Sequence, residues 1–200
     1  MGTDKALLRV SASGLTLIQA IAAVAVSISD DLVIVSENSE RLPSLPGRFV
    51  GDAVPYGGPL AGMVAGLQAA RHPTTLVLAC DLPFLSAPLL RAIAMVPQGW
   101  DAFVPRLPSE ENPLGWEPLH ASYTRPCLAP MQSALASGRR HATAFFPDIR
   151  VFPATVEMAR AHDPSLRSTR SVNTPEAWAQ AVDWLAHRGD PEWVDECLNR

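Results

Sequence analysis

The feature that most constrains the fold of this chain is residues 75–79, Thr-Leu-Val-Leu-Ala, a run that is apolar on both faces and closed by Asp81-Leu82-Pro83. A strand with two apolar faces needs cover above and below, as in a parallel sheet with helices on both sides. The rest of the chain supplies those layers. Residues 32–35, 49–50, 102–104 and 119–123 read as further short strands, and 151–152 as an edge strand. Helix signals alternate with them at 16–26, 59–71, 87–95, 128–137 (closed by Gly138) and 175–187. Pro59 and Pro175 each stand at a first helical position, where the missing N–H costs nothing, and Thr174 is a hydroxyl cap. Strand and helix in alternation predict the α/β class. No element is assigned to 157–169, and 190–200 reads as a tail with a short helix.

At 200 residues, 48% hydrophobic and 18% charged, one domain over 1–200 is expected. A net charge of -4 argues against a general nucleic-acid binder, since polyphosphate backbones select basic surfaces. It leaves room for a single nucleotide, whose charge a metal ion and a few cations can offset. Cys80, Cys127 and Cys197 are odd in number and lack metal-ligand or redox spacing, which predicts reduced thiols and a cytoplasmic protein. The apolar run 15–28 falls short of the ~20 residues that span a bilayer. It also carries Gln19 and opens on Gly14 and Thr16 like a helix after a turn, so neither a membrane span nor a leader is expected.

Several catalytic machineries are absent: no Walker loop, no G-x-G-x-x-G, no H-E-x-x-H and no G-x-S-x-G. The five histidines sit singly, and none is assigned a role. Asp81 differs from them. An acid directly after a buried strand lies at the carboxyl end of the sheet, where open α/β folds bind ligands. A carboxylate there is costly unless paired or on a metal, and a hard oxygen donor beside a phosphate suits Mg²⁺. The same residue can equally cap the following turn. Gly57-Gly58-Pro59-Leu60-Ala61-Gly62 offers a helix N-terminus to an anion or a base, or else a bare face for helix-on-sheet packing. Lys5 near the start can balance phosphate charge or be a solvated lysine, and Asn173-Thr174-Pro175 is by default a helix cap.

Taken together, these stretches resemble the molybdenum cofactor guanylyltransferase family: MGTDKALL at 1–8, GGPLAG at 57–62, CDLPFL at 80–85, EPLHASY at 117–123 and SVNTPEAW at 171–178. The resemblance covers nearly the whole chain. It implies a Rossmann-like nucleotidyltransferase fold with a mostly parallel sheet, and transfer of GMP from GTP to molybdopterin with release of pyrophosphate. By the same resemblance Asp81 is the Mg²⁺ ligand, and Lys5 and Gly2 meet the GTP phosphates. Asp52, Gly58, Pro59 and Leu60 lie around the guanosine, and Asn173 belongs to the pterin or phosphate side. GTP and molybdopterin are the implied partners, with transient contact to cofactor-delivery or molybdoenzyme proteins.

The chain departs from the family pattern in two places. The pattern runs roughly L-A-G-G-x-S-x-R-M-G-x-D-K, and this sequence begins at its methionine, without the first strand and the glycines that cradle the triphosphate. That strand lies mid-sheet in such folds, so 32–35 and 75–79 are expected to lack a shared neighbour. A late-assigned start codon or a truncated gene is the expectation. Ser171 replaces the first asparagine of N-x-N-T-P, which removes an amide's reach on that side. A cytidylyltransferase, another nucleotidyltransferase of the same fold, and a nucleotide-binding remnant without turnover are the alternatives.

Overall fold

A computed structural model describes residues 5–10, 14–110, 112–172 and 174–188. Near the start, a 3-10 turn at Lys5–Leu7 leads into a short antiparallel bridge between Arg9 and Thr16. Helix α1, Leu17–Val26, follows at once. Its first turn is closed by Gln19, whose side-chain oxygen accepts the Thr16 N–H at 3.1 Å and the Thr16 hydroxyl at 2.9 Å. The polar residue inside this apolar run is therefore a capping device.

Strands β1 (Val33–Val35) and β2 (Arg48–Val50) pair in parallel as a two-stranded sheet. Helix α2 (Gly58–Ala69) then leads to β3 (Thr74–Leu78) and α3 (Ala87–Ile93). The chain continues through β4 (Ala102–Pro105), β5 (His120–Thr124), α4 (Leu128–Ala136) and β6 (Val151–Ala154). It closes with α5 (Val156–His162) and α6 (Pro175–Arg188). The second sheet has the order β3-β5-β4-β6. Strand β5 runs against both β3 and β4, whereas β4 and β6 are parallel, so the other three strands share one direction. An apolar strand reads the same in either direction, which is why the reversal of β5 left no mark in the sequence.

Helix α5 fills part of the stretch to which no element was assigned. It has only seven residues and depends on a cap, with Met158 N donating to Thr155 Oγ1 at 3.3 Å. The expected cap of α6 is present too, with Ala177 N donating to Thr174 Oγ1 at 3.1 Å.

Period-2 alternation divides the core between the two faces of the larger sheet. Ala102, Val104, Ala121 and Tyr123 meet α2 and α4 on one face. Phe103, Leu76 and Leu78 meet α3, α5 and the end of α1 on the other. The result is a three-layer α/β/α arrangement.

Among the described residues β1 pairs with β2 alone, and β3 with β5 alone. Between the two open edges lies a cavity of about 910 Å³ lined by both strands, by Ile21 and Ala25 of α1, and by Met63 and Gly66 of α2. Among the described residues, then, the two strands share no neighbour, as expected. Its effect on burial is direct: every residue of β3 is only half-buried, whereas β4, paired on both sides, is buried throughout. No helix among the described residues is long and apolar enough to cross a membrane.

Candidate active site

Asp81 lies just past the end of β3, and three distant parts of the chain converge on it. Lys5 Nζ is 3.7 Å from Asp81 Oδ2, with both side chains partly open to solvent. The Asp81 carbonyl accepts the Val172 N–H at 3.0 Å, which pins the 163–172 loop beside it. The third part comes from the sheet. The β3–β5 ladder pairs Leu78 with His120, and the Ala79 N–H continues it to the Leu119 carbonyl at 2.8 Å. Past Leu119 the ladder gives way to a turn, with the His120 N–H donating to the Glu117 carbonyl at 3.1 Å and the Glu117 N–H to the Pro105 carbonyl at 3.0 Å, and that turn leaves Glu117 near enough for the Asp81 charge to act on it.

Glu117 is held in place by its own loop. Asn112 Nδ2 donates to the Trp116 carbonyl at 3.2 Å and to Glu117 Oε1 at 3.3 Å. Asn112 Oδ1 in turn accepts the Gly115 N–H at 3.1 Å. The Tyr123 hydroxyl, buried in the sheet, donates to the Pro118 carbonyl at 2.8 Å and ties the loop to β5. Burial, and then the nearby Asp81 carboxylate, push the Glu117 carboxyl up to about 7, against the Asn112 hydrogen bond. Glu117 stands within EPLHASY, a stretch whose sequence pattern gives it no role. Only its burial and its nearness to Asp81 in the fold reveal it.

A second group of residues gathers at the start of α2. Asp52 N donates to Glu37 Oε1 at 2.7 Å, so two carboxylates stand just beyond β1 and β2. Burial, and then Glu37, raise the Asp52 carboxyl above its usual range. Asp52 Oδ1 lies 3.4 Å from the point a Cβ on Gly62 would occupy, so α2 runs directly beneath it. Gly57 has no room for a side chain, since a Cβ there would come within 2.3 Å of Ala61 Cβ.

Gly58 and Pro59 are exposed at the helix start, as a ligand-facing turn requires. Leu60 is turned the other way: its side chain is fully buried in the core, and its N–H donates to the Arg140 carbonyl at 3.3 Å. Pro59 has no N–H and that of Leu60 is engaged, so the helix start offers an anion fewer donors than its glycines suggest. Pro59 and Asp81 line the same cavity, which joins the two groups of residues along the carboxyl ends of β1 and β3. Gly2 and Asn173 lie outside the described residues.

Asp81 and Glu117 present hard oxygen donors, and among the described residues no group of three or more His, Cys, Asp or Glu side chains is placed to enclose a metal. That donor set fits Mg²⁺, which keeps several waters and takes one or two carboxylates plus substrate phosphates rather than an all-protein cage.

Residues 1–149 match a family profile described as a MobA-like NTP transferase domain. A Chloroflexus aggregans protein named "Probable molybdenum cofactor guanylyltransferase" is 34% identical over 176 residues, covering 88% of this chain and 84% of that protein. The molybdenum cofactor guanylyltransferase of Desulfosudis oleivorans is 32% identical over 169 residues, covering 84% of this chain and 81% of its own length. Among solved structures, the molybdopterin-guanine dinucleotide biosynthesis protein A of Archaeoglobus fulgidus superposes with a TM-score of 0.75 at 24% identity, over 93% of this chain and 92% of that one.

Proposed function

The chain belongs to the MobA-like NTP transferase family and is a nucleotidyltransferase; from that premise we propose that it transfers GMP from GTP to molybdopterin. The observation that carries this reading is the Lys5–Asp81 pair at the carboxyl end of β3, with Glu117 near enough to feel the Asp81 charge.

A phosphate oxygen of molybdopterin forms the new bond to the α-phosphorus of GTP, the bond from that phosphorus to the bridging oxygen of the β-phosphate breaks, and pyrophosphate leaves. The attacking phosphate is already ionised near neutral pH, so no strong general base is required. What remains is in-line positioning and neutralisation of charge. Lys5 brings a cation to the triphosphate, and Asp81 with Glu117 would hold Mg²⁺. When bound, Mg²⁺ supplies charge neutralisation on the phosphates and the leaving pyrophosphate. Asp52 presents a carboxylate that suits the N1–H and amino donors of guanine, over a helix start opened by Gly57 and Gly58.

A nucleotide-binding protein without turnover is the second reading, favoured by one observation: the cavity between β1 and β3 runs beside the site, and among the described residues each of these strands is paired on one side only. Pyrophosphate release from GTP and from CTP, with Mg²⁺ and molybdopterin, separates the readings. The expected result is release from GTP, lowered about a hundredfold or more by Asp81→Asn, the scale of losing one charge-stabilising group. Preference for CTP would remove the guanine assignment. Binding of GTP with no release would favour the second reading.

A further inference from the structure

Tyr56 occupies a backbone position that tyrosine ordinarily avoids, and it gains no packing in return. The Gly57 N–H donates to the Val54 carbonyl at 3.0 Å, closing a four-residue turn with Pro55 and Tyr56 at its centre. Tyr56 has φ +54, the left-handed region, and its side chain is 96% exposed. A proline followed by a positive-φ residue is the pattern of a type II turn, whose third position is normally glycine or asparagine. A bulky L-residue there costs about 1–2 kcal/mol. Strain at a residue whose ring gains no packing from the fold points to a use for that ring outside it.

The turn is braced from behind. Arg140 Nη1 donates to the Tyr56 carbonyl at 2.6 Å, and the Arg140 carbonyl accepts the Leu60 N–H at 3.3 Å. Gly58, at φ +65, packs against the same residue, where an added Cβ would lie 3.1 Å from the Arg140 oxygen. Arg140 is itself fixed by the end of α4, where Gly138 N donates to the Leu135 carbonyl at 3.0 Å and Arg139 N to the Ala134 carbonyl at 3.1 Å. That pair of bonds is the Schellman termination, with Gly138 at φ +77. A rigid helix end thus holds the turn from one side while the tyrosine ring projects from the other.

We infer that Tyr56 is a stacking platform for the nucleobase of bound GTP, set beside the carboxylates of Asp52 and Glu37. This rests on the reading of the site as a GTP site. An aromatic ring held in water on a fixed turn matches a flat base, whose faces are apolar and whose edge seeks acceptors. The two carboxylates supply acceptors for the guanine donors, and the ring supplies the face.

The test is calorimetric titration of the full chain with GTP, using Tyr56→Gly, Tyr56→Phe and Tyr56→Trp. Glycine relieves the turn, so the platform reading expects a higher melting temperature together with GTP binding weakened about tenfold, the scale of one lost base stack. Phenylalanine and tryptophan are expected to keep the affinity. Ribose 5-triphosphate, which lacks the base, is expected to bind the wild type and Tyr56→Gly alike. In turnover, the KM for GTP is expected to rise with kcat retained, and the KM for molybdopterin to stay unchanged. GTP binding to Tyr56→Gly at wild-type strength would overturn the platform and leave the GTP site standing. A rise in the molybdopterin KM alone would overturn it in favour of the pterin. A wild type that prefers CTP, with CTP binding weakened in Tyr56→Gly, would support the platform and overturn the guanine reading instead.

Discussion

In the larger sheet, β4 is buried throughout and β5 along all but its last residue, while the smaller sheet buries only Ile34 and leaves Phe49 38% exposed. What replaces packing in the smaller sheet is charge. The carboxylate of Asp31, just before β1, is only 4% exposed and pairs with the Arg48 guanidinium, which also donates to the Ala69 carbonyl at the end of α2. The Arg71 N–H donates to the same carboxylate at 2.8 Å. One region is therefore held by apolar contact from two helix layers. The other is held by a short ladder, α2 and an ionic clasp at the cavity's rim. Removing groups from each should produce effects of different size, reach and pH dependence.

The largest effect is expected at Phe145. It is fully buried, packed against Tyr123 and Phe146 with ring centroids 5.7 and 5.3 Å away. Phe145→Ala is expected to cost about 3–5 kcal/mol in denaturant unfolding, against a net stability of ~5–15 kcal/mol for a domain. Hydrogen exchange should speed up across the whole larger sheet. A loss below about 1 kcal/mol would show that the apolar layer is not what holds it.

The next effect separates the regions by pH. His120 on β5 is 1% exposed, and neither ring nitrogen has a hydrogen-bond partner among the described residues. Burial pushes its pKa down to about 4, with Asp163 opposing. Between pH ~6.5 and ~4 the unfolded chain takes a proton there that the folded chain refuses, so the His120 contribution to stability falls as pH drops through that window, while Glu117, raised to about 7, contributes in the opposite direction. The shift amounts to about 3 kcal/mol in all. His120→Leu should therefore gain on the wild type as pH drops from 8 to 4.5, starting from equal or higher stability at pH 8, because no hydrogen bond is given up. Unfolding curves at pH 8, 6 and 4.5 check it. A stability difference between His120→Leu and the wild type that stayed constant from pH 8 to 4.5 would overturn it.

How much of this was legible beforehand follows from the range of each signal. Asp81 after an apolar run, and Gly57, Gly58 and Pro59 at a helix start, are local patterns, and the sequence displays them. Pairing is not local. Lys5 reaches Asp81 across more than seventy positions of sequence, and Glu117 comes near it through the turn that precedes β5. Leu60 belongs to the same motif as Gly58 and Pro59, yet helical periodicity turns its side chain inward, and no motif comparison resolves that. The strain at Tyr56 is a backbone angle, which Val-Pro-Tyr-Gly suggests only as a turn. The cavity between β1 and β3 was foreseeable because it depends on which strands exist, not on how side chains settle.

The smaller effects belong to the smaller sheet. Asp31 has its carboxyl held down to about 2, first by the Arg48 hydrogen bond and then by the Arg71 N–H. Between pH 3.8 and 2 the unfolded chain takes a proton at Asp31 that the folded chain does not, so this contribution is lost as pH falls through that window. It lies below the His120 window, so the two can be read separately. Asp31→Asn should remove the lower step, leave the upper one, and raise hydrogen exchange at Ile34 and Phe49 far more than at Ala121. Equal acceleration in both sheets would show that the clasp supports the whole molecule.

The smallest effect is expected at Phe49, the residue of β2 that most resembles a core residue by type. Its side chain is 38% exposed, and its backbone pairs with Ile34 in the parallel ladder. Phe49→Ala should therefore cost about 1–2 kcal/mol, since the ring removes only part of its apolar surface from water. Phe49→Thr should cost less, because a β-branched residue keeps the strand preference without the ring. Denaturant unfolding of both variants beside Phe145→Ala gives the comparison directly. If Phe49→Ala approached the Phe145→Ala loss, the smaller sheet would owe its place to apolar packing after all, and the division between charge and packing would fall.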